Sequence, residues 1–274
     1  KMVWALFGTG DLAAYDFSGK EIWKRNLGKD FGKLAYMWLY GASPLLYKDR
    51  LYISVLQRNP PTYPHATDDK PERESFLLCI DPKTGKDIWR HIRKTDAIAE
   101  SMESYATPIP YQGKERDEIL VLGGDYVTGH DPVTGKEYWR CGSLNSRKSH
   151  WWRIVTSPVT TDGFIFVSAP KKEPLLAIRE GGNGDVTETH IAWRLMENTP
   201  DVCTPLVYNG KLFVLDGDRK VMTCLDPKTG KEIWKGDLEV REVFKASPTA
   251  ADGRIFCISE RGTVVILDAG DEFK

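Results

Sequence analysis

A nine-residue phrase returns along this chain at near-regular intervals, and it restricts the fold more than any other feature. Asp81-Pro82-Lys83-Thr84-Gly85-Lys86-Asp87-Ile88-Trp89 recurs as Asp131-Pro132-Val133-Thr134-Gly135-Lys136-Glu137-Tyr138-Trp139 and again as Asp226-Pro227-Lys228-Thr229-Gly230-Lys231-Glu232-Ile233-Trp234. A version one residue shorter, Asp16-Phe17-Ser18-Gly19-Lys20-Glu21-Ile22-Trp23, lies near the start, and a stretched one ends at Ile191-Ala192-Trp193. A second marker alternates with the first: Ser43-Pro44, Thr107-Pro108, Ser157-Pro158, Thr204-Pro205 and Ser247-Pro248, spaced 64, 50, 47 and 43 residues apart. A period of about 40–50 residues built from short strands and turns is that of a four-stranded propeller blade.

The chemistry between the markers agrees. Each Ser/Thr-Pro leads into a short apolar stretch and then a turn such as Asp162-Gly163, Asn209-Gly210 or Asp252-Gly253. Asn-Gly and Asp-Gly accept the positive φ that tight hairpins between twisted strands require. An alternating strand follows, for example Leu212-Phe213-Val214-Leu215. The next strand runs into Asp-Pro-x-Thr-Gly, where Pro presets the first corner of a turn and Gly closes it. The fourth strand carries the Trp. No segment sustains an i, i+3, i+4, i+7 apolar pattern, so the class is all-β.

Two residues before each turn Asp stands a small residue: Ala14, Cys79, Gly129, Ala177 and Cys224. Before each Ser/Thr-Pro stand Ala42, Ala106, Thr156, Cys203 and Ala246. Cys79, Cys203 and Cys224 thus read as small buried fillers; Cys141 and Cys257 lie outside that argument. The cysteines form no Cys-x-x-Cys pair, and the five histidines lack metal-ligand spacing. The net charge of −1 supplies no field for nucleic acid, and no stretch reaches the ~18 apolar residues of a membrane helix.

The pattern Ala-x-Asp-x-x-Thr-Gly-Lys-x-x-Trp resembles the tryptophan-docking motif of the pyrroloquinoline quinone (PQQ) repeat family. The likeness is close in three repeats and recognisable in two more. It implies a β-propeller of four-stranded antiparallel blades, in which Trp23, Trp89, Trp139, Trp193 and Trp234 dock between blades beside Gly85, Gly135 and Gly230. Four complete blades are expected at about 41–92, 104–142, 154–196 and 201–238, with partial ones at 1–27 and 244–274, as in an interior segment of an eight-bladed propeller. The family includes quinoprotein dehydrogenases and non-catalytic members, among them the propeller subunit of the outer-membrane β-barrel assembly machinery. By that resemblance the expected location is periplasmic, secreted or cell-surface.

The dehydrogenases of the family carry adjacent cysteines and a calcium-bound active site, and no residues here match either, so no catalytic residue, metal or cofactor is expected. The Gly181-Gly182-Asn183-Gly184-Asp185 run, which replaces one Asp-Pro-x-Thr-Gly turn, reads as a longer hairpin loop. In propellers of this kind the connector from one blade to the next reaches the axial funnel. Reading back from each Ser/Thr-Pro gives the candidate binding residues Trp38, Tyr40, Glu103, Tyr105, His150, Trp152, Arg153, Asp201 and Lys245. Aromatics and Arg on a concave surface suit a partner site. The competing assignment is that they plug the channel and cap strand ends. A long Pro-rich insertion running from Arg58 to Glu74 is expected on the same face. The expected function is a scaffold for a protein, peptide or glycan at the funnel face, with neither nucleic acid nor membrane insertion. The alternatives are a quinoprotein-like dehydrogenase using PQQ and calcium, a hydrolase using Glu103, Arg153 and Asp201, and the sensor domain of a larger signalling protein.

Overall fold

The structure is a computed structural model that describes residues 1–61, 72–170 and 173–274. Residues 62–71, most of the Pro-rich insertion, lie outside the described residues.

Among the described residues six sheets, antiparallel but for one added edge pairing, follow one another in chain order as propeller blades. Blade I pairs Met2–Leu6, Asp11–Asp16 and Glu21–Asn26. Blade II pairs Leu45–Tyr47, Arg50–Val55, Phe76–Ile80 and Asp87–Ile92. Blade III is built on Ile109–Gln112, Asp117–Gly123, Tyr126–His130 and Glu137–Cys141. Blade IV comprises Val159–Thr161, Phe164–Ser168, Leu175–Arg179 and Ile191–Leu195. Blade V uses Leu206–Tyr208, Lys211–Asp216, Val221–Leu225 and Glu232–Asp237, and blade VI uses Thr249–Ala251, Arg254–Ile258 and Val264–Asp268. The helical pieces among the described residues are single turns at Leu27–Phe31, Ala99–Met102 and Thr187–His190.

The core lies between sheets. Five apolar clusters each join two consecutive blades, as where Leu120 and Leu122 of blade III meet Ile165, Val167 and Leu176 of blade IV. A strand covered on both faces loses its polar alternation, and Phe76–Ile80 is buried at every position.

The small-residue slot has a geometric cause. Ala14, Cys79, Gly129, Ala177 and Cys224 each sit directly opposite the Trp of the neighbouring strand, and the ladder shifts register immediately after each of them. A larger side chain there would strike the indole: a Cβ on Gly129 would lie 2.3 Å from Trp139 Nε1. Each Trp also reaches toward the next blade. Trp23 Nε1 donates to Pro82 O at 2.9 Å and Trp193 Nε1 to Pro227 O at 3.1 Å. Their rings lie over Gly85 and Gly230, and Trp89 lies over Gly135, where an added Cβ would stand 2.5–2.7 Å from ring carbons.

Two wedges depart from that pattern. Pro132 O accepts from Tyr52 Oη and Arg50 Nη1, and the buried Trp89 Nε1 finds no hydrogen-bond acceptor among the described residues. Between blades III and IV the Asp-Pro-x-Thr-Gly turn is missing, and Trp139 Nε1 donates instead to Glu118 Oε2 at 2.7 Å. The Gly181–Asp185 segment does more than lengthen a hairpin. Gly184–Asp185 pairs in parallel with Trp139 and Arg140, adding a fifth strand to the outer edge of blade III.

The Ser/Thr-Pro marker joins the blades at their inner ends. Ser43 N donates to Thr107 Oγ1, Thr107 N to Ser157 Oγ, Ser157 N to Thr204 Oγ1 and Thr204 N to Ser247 Oγ, all at 2.9–3.0 Å. One hydroxyl per blade, holding the preceding blade's amide, fixes the inner strands around the axis and orients the connectors that enter them.

Candidate binding face

The blade-to-blade connectors converge where the inner strands begin, and four of them meet through two runs of polar contacts. Glu103, fully buried, is the fixed point of the first. Its carboxylate lies 2.7 Å from Arg58 Nε, accepts from Tyr105 Oη at 2.7 Å and from Met37 N at 2.9 Å. Burial beside Glu103 pushes the Tyr105 phenol well above its ordinary pKa, so it stays a donor. A second run crosses the first. Trp38 Nε1 donates to Glu100 Oε1 at 3.3 Å, Arg153 Nε lies 3.8 Å from the same oxygen, and Arg153 reaches both Asp201 oxygens at 3.3 Å.

These contacts are prepared by local structure. The turn Ala99–Met102 presents Glu100 and holds itself through the Ser101 hydroxyl, which donates to Ile98 O at 2.7 Å. Glu100 N donates to His150 O at 2.9 Å, and a parallel bridge joins Ser104 to Ile154, so the connectors entering blades III and IV are tied to each other. Farther along the second one, Asn145 Nδ2 donates to both oxygens of buried Asp125, with Lys148 Nζ 3.7 Å away. Burial raises the Asp125 carboxyl to about 6.

A cavity of about 460 Å³ opens between these runs, lined by Trp38, Leu39, Tyr40, Gly41, Tyr105 and Val155 with Arg153 on one side. Trp38 is 68% exposed and Leu39 59% exposed, and Leu39 has a left-handed φ of 78°. Trp151, 57% exposed, follows the His150 whose carbonyl holds Glu100.

The structure therefore brings Trp38, Glu103, Tyr105, Arg153 and Asp201 together, with Tyr40 as floor: its hydroxyl donates to Ser54 O at 3.0 Å and it is almost wholly buried. His150 contributes its carbonyl, and Trp152 is half-buried beside Arg153. Lys245 is separate, bonded to Asp218 at 2.6 Å at the junction of blades V and VI. Three contributors escaped the sequence reading. Glu100 had no motif, Leu39 carried no sign of its backbone conformation, and Arg58 was read only as the first residue of an insertion. Its side chain crosses to Glu103, 45 residues on.

Other chemistry-bearing groups are absorbed elsewhere. All five cysteines are free and buried, and burial pushes Cys79 up to about 11 and the other four to about 12, far from nucleophilic thiolates at neutral pH. Among the described residues no three His, Cys, Asp or Glu side chains converge as a metal site.

A family model described as outer membrane protein assembly factor BamB matches residues 185–272. A search of curated proteins by sequence finds no match. Among solved structures, BamB from Moraxella catarrhalis superposes with a TM-score of 0.52 at 13% identity, covering 97% of this chain and 81% of that one. A europium-containing methanol dehydrogenase gives 0.56 at 13% identity, over 88% of this chain and 49% of the other, so this chain spans about half its length. Saccharomyces cerevisiae Sqt1 gives 0.62 at 9% identity, over 100% and 69%. At such identities these likenesses show the fold, a β-propeller, and leave function to the site.

The dehydrogenase likeness invites a test of fit for PQQ and calcium. Calcium takes six to eight oxygen ligands. Here the carboxylates at the channel mouth are already spent on Arg58, Arg153, Tyr105 and Trp38, and the cavity wall is mostly apolar. The described residues around this cavity do not fit that cofactor pair.

Proposed function

We propose that this chain is a non-catalytic scaffold that holds a protein partner on its central face, in an envelope-associated or secreted setting. The observation that carries the reading is Trp38. It is the most exposed tryptophan of the face, yet its indole is pinned to buried Glu100, itself held beside Arg153. An exposed aromatic held in one orientation is pre-organised for contact, which reduces the ordering cost of binding. Leu39 and Trp151 extend the apolar surface around it, and aromatic anchors beside Arg are typical of interface hot spots. The tryptophans of the outer strands and Gly85, Gly135 and Gly230 serve blade docking in this reading. The BamB-described family model and the BamB superposition support an assembly role and the envelope setting. No described helix is long and apolar enough to cross a membrane. The proposal needs no cofactor.

The test is paired capture. Tagged protein purified from its own cells after mild cross-linking is compared with Trp151→Ala and with Val133→Ser, an exposed position in a blade III turn on the opposite face. The reading expects a specific partner that Trp151→Ala loses at least tenfold and Val133→Ser retains. Equal capture by both variants would overturn it.

A further inference from the structure

The reading of the central face as a partner site leaves open what chemistry the partner brings, and the cavity at the channel mouth constrains it. Its volume of about 460 Å³ is ample for one large side chain with adjoining backbone, and within the range of ligand pockets. Of the described residues lining it, Arg153 is the charged one, while Trp38, Leu39, Tyr40, Tyr105 and Val155 present aromatic and aliphatic surface.

Charge narrows the occupant further. The belt around the mouth holds Glu100, Glu103 and Asp201 against Arg58 and Arg153, already interlocked. An anionic group would approach three carboxylates, and a cationic one would meet the Arg153 guanidinium in the wall. A sugar would need several hydrogen-bonding groups turned toward it. The Tyr40 hydroxyl is occupied by Ser54 O and the Tyr105 hydroxyl by Glu103. A neutral apolar group loses least and gains the buried area. Leu39 adds a second, independent pointer. A branched residue with φ at 78° is sterically disfavoured, and this one spends that strain placing its side chain in solvent at the cavity rim. Backbone strain at a non-glycine position clusters at active sites, ligand clamps and switch segments.

We infer that the channel mouth receives one large apolar side chain from an extended segment of the partner protein, with a backbone carbonyl of that segment facing Arg153. The anchor enters between Trp38 and Val155, over the Tyr40 and Tyr105 rings. Arg153 stays fixed by Asp201 and Glu100 and donates a charge-assisted hydrogen bond to the carbonyl. Specificity is then for a neutral anchor and against charged residues at that position.

N-acetyl-phenylalanine amide serves as the probe, titrated against the folded chain and followed by ligand-observed NMR. Saturable binding with a Kd of about 1 mM is expected for a single anchor. Val155→Phe, which fills the mouth, should weaken it at least tenfold, and Val133→Ser should not change it. N-acetyl-lysine amide and N-acetylglucosamine should bind at least tenfold more weakly. Circular dichroism and thermal unfolding establish that Val155→Phe is folded; Leu39→Gly, which removes the rim side chain and the strain together, provides a second variant expected to weaken the probe several-fold. Absence of saturable binding to the wild-type chain, equal binding by Val155→Phe, or preference for the lysine or sugar probe would overturn the inference. Loss of partner capture on Trp151→Ala despite any of those results would show the face to be the partner site by another chemistry. Unchanged capture in that variant would instead remove the parent reading.

Discussion

The two ends of the blades are built by opposite rules. On three outer turns one nine-residue phrase recurs with the same work in each: Asp accepts from backbone amides, as Asp226 does from Lys228 and Thr229, and Gly makes room for the preceding blade's indole. At the central face no two connectors share a sequence. One supplies Trp38 and Leu39, the next Glu100 and Glu103, the next Arg153, the last Asp201. Repetition marks what every blade needs in order to stack. Departure from repetition, under the same stacking constraint, marks where a residue is held for something else.

The largest expected effect tests whether the central face is itself structural. Glu103→Ala removes the carboxylate 2.7 Å from Arg58, an arginine only 7% exposed, and breaking a buried pair from one side costs about 3–5 kcal/mol. Urea unfolding should show that loss; a change under 1 kcal/mol would mean that water reaches Arg58. Next comes the turn side. Gly135→Val sets a side chain against the Trp89 ring at φ 77° and should cost about 3 kcal/mol, summing overpacking and strain. Gly253→Val has nearly the same φ, 75°, with nothing within 4 Å, and should cost only the strain, about 1–2 kcal/mol. Equal costs at both would refute indole contact as the reason for glycine there.

A smaller effect lies between blades II and III. His130 is fully buried against Arg93, His91 and Glu137, and burial first, then the Arg93 charge, lowers its pKa to about 3. A depressed histidine pKa means that the unfolded chain takes up the proton first. The stability this group contributes is full above about pH 6.5 and is lost as pH falls toward 3. Between pH 7 and pH 5 that amounts to about 2 kcal/mol. The pH slope of urea stability should therefore flatten by that amount in His130→Gln; an unchanged slope would contradict the assignment. Smallest is Trp151→Ala, expected to change stability by less than about 0.5 kcal/mol, since the side chain is mostly exposed.

The contrast also explains what could be read in advance. Blade chemistry was legible because each turn is encoded locally: Asp-Pro-x-Thr-Gly and Asn-Gly specify their own conformation. Even the small residue opposite each Trp shows itself as a column of Ala, Gly and Cys. The Ser/Thr-Pro column was visible too, though not its purpose, since the hydroxyl acts on an amide 43–64 residues away. The connectors could be located by counting back from that marker. Their partnerships could not, because Arg58–Glu103 and Glu100–Arg153 depend on loops from different blades meeting. The same reason hid the Gly184–Asp185 pairing: its partner strand belongs to the previous blade. Lys245, a connector residue chosen by position, lies apart from the others and pairs with Asp218.

Site-specific photo-cross-linking in living cells tests the division of labour most directly. A photoreactive phenylalanine analogue is placed at position 151 on the central face and, separately, at position 228 on the turn face. A discrete cross-linked partner from position 151, absent or at least tenfold weaker from position 228, is the predicted result. The same partner trapped equally from both positions, or from position 228 alone, would contradict the account.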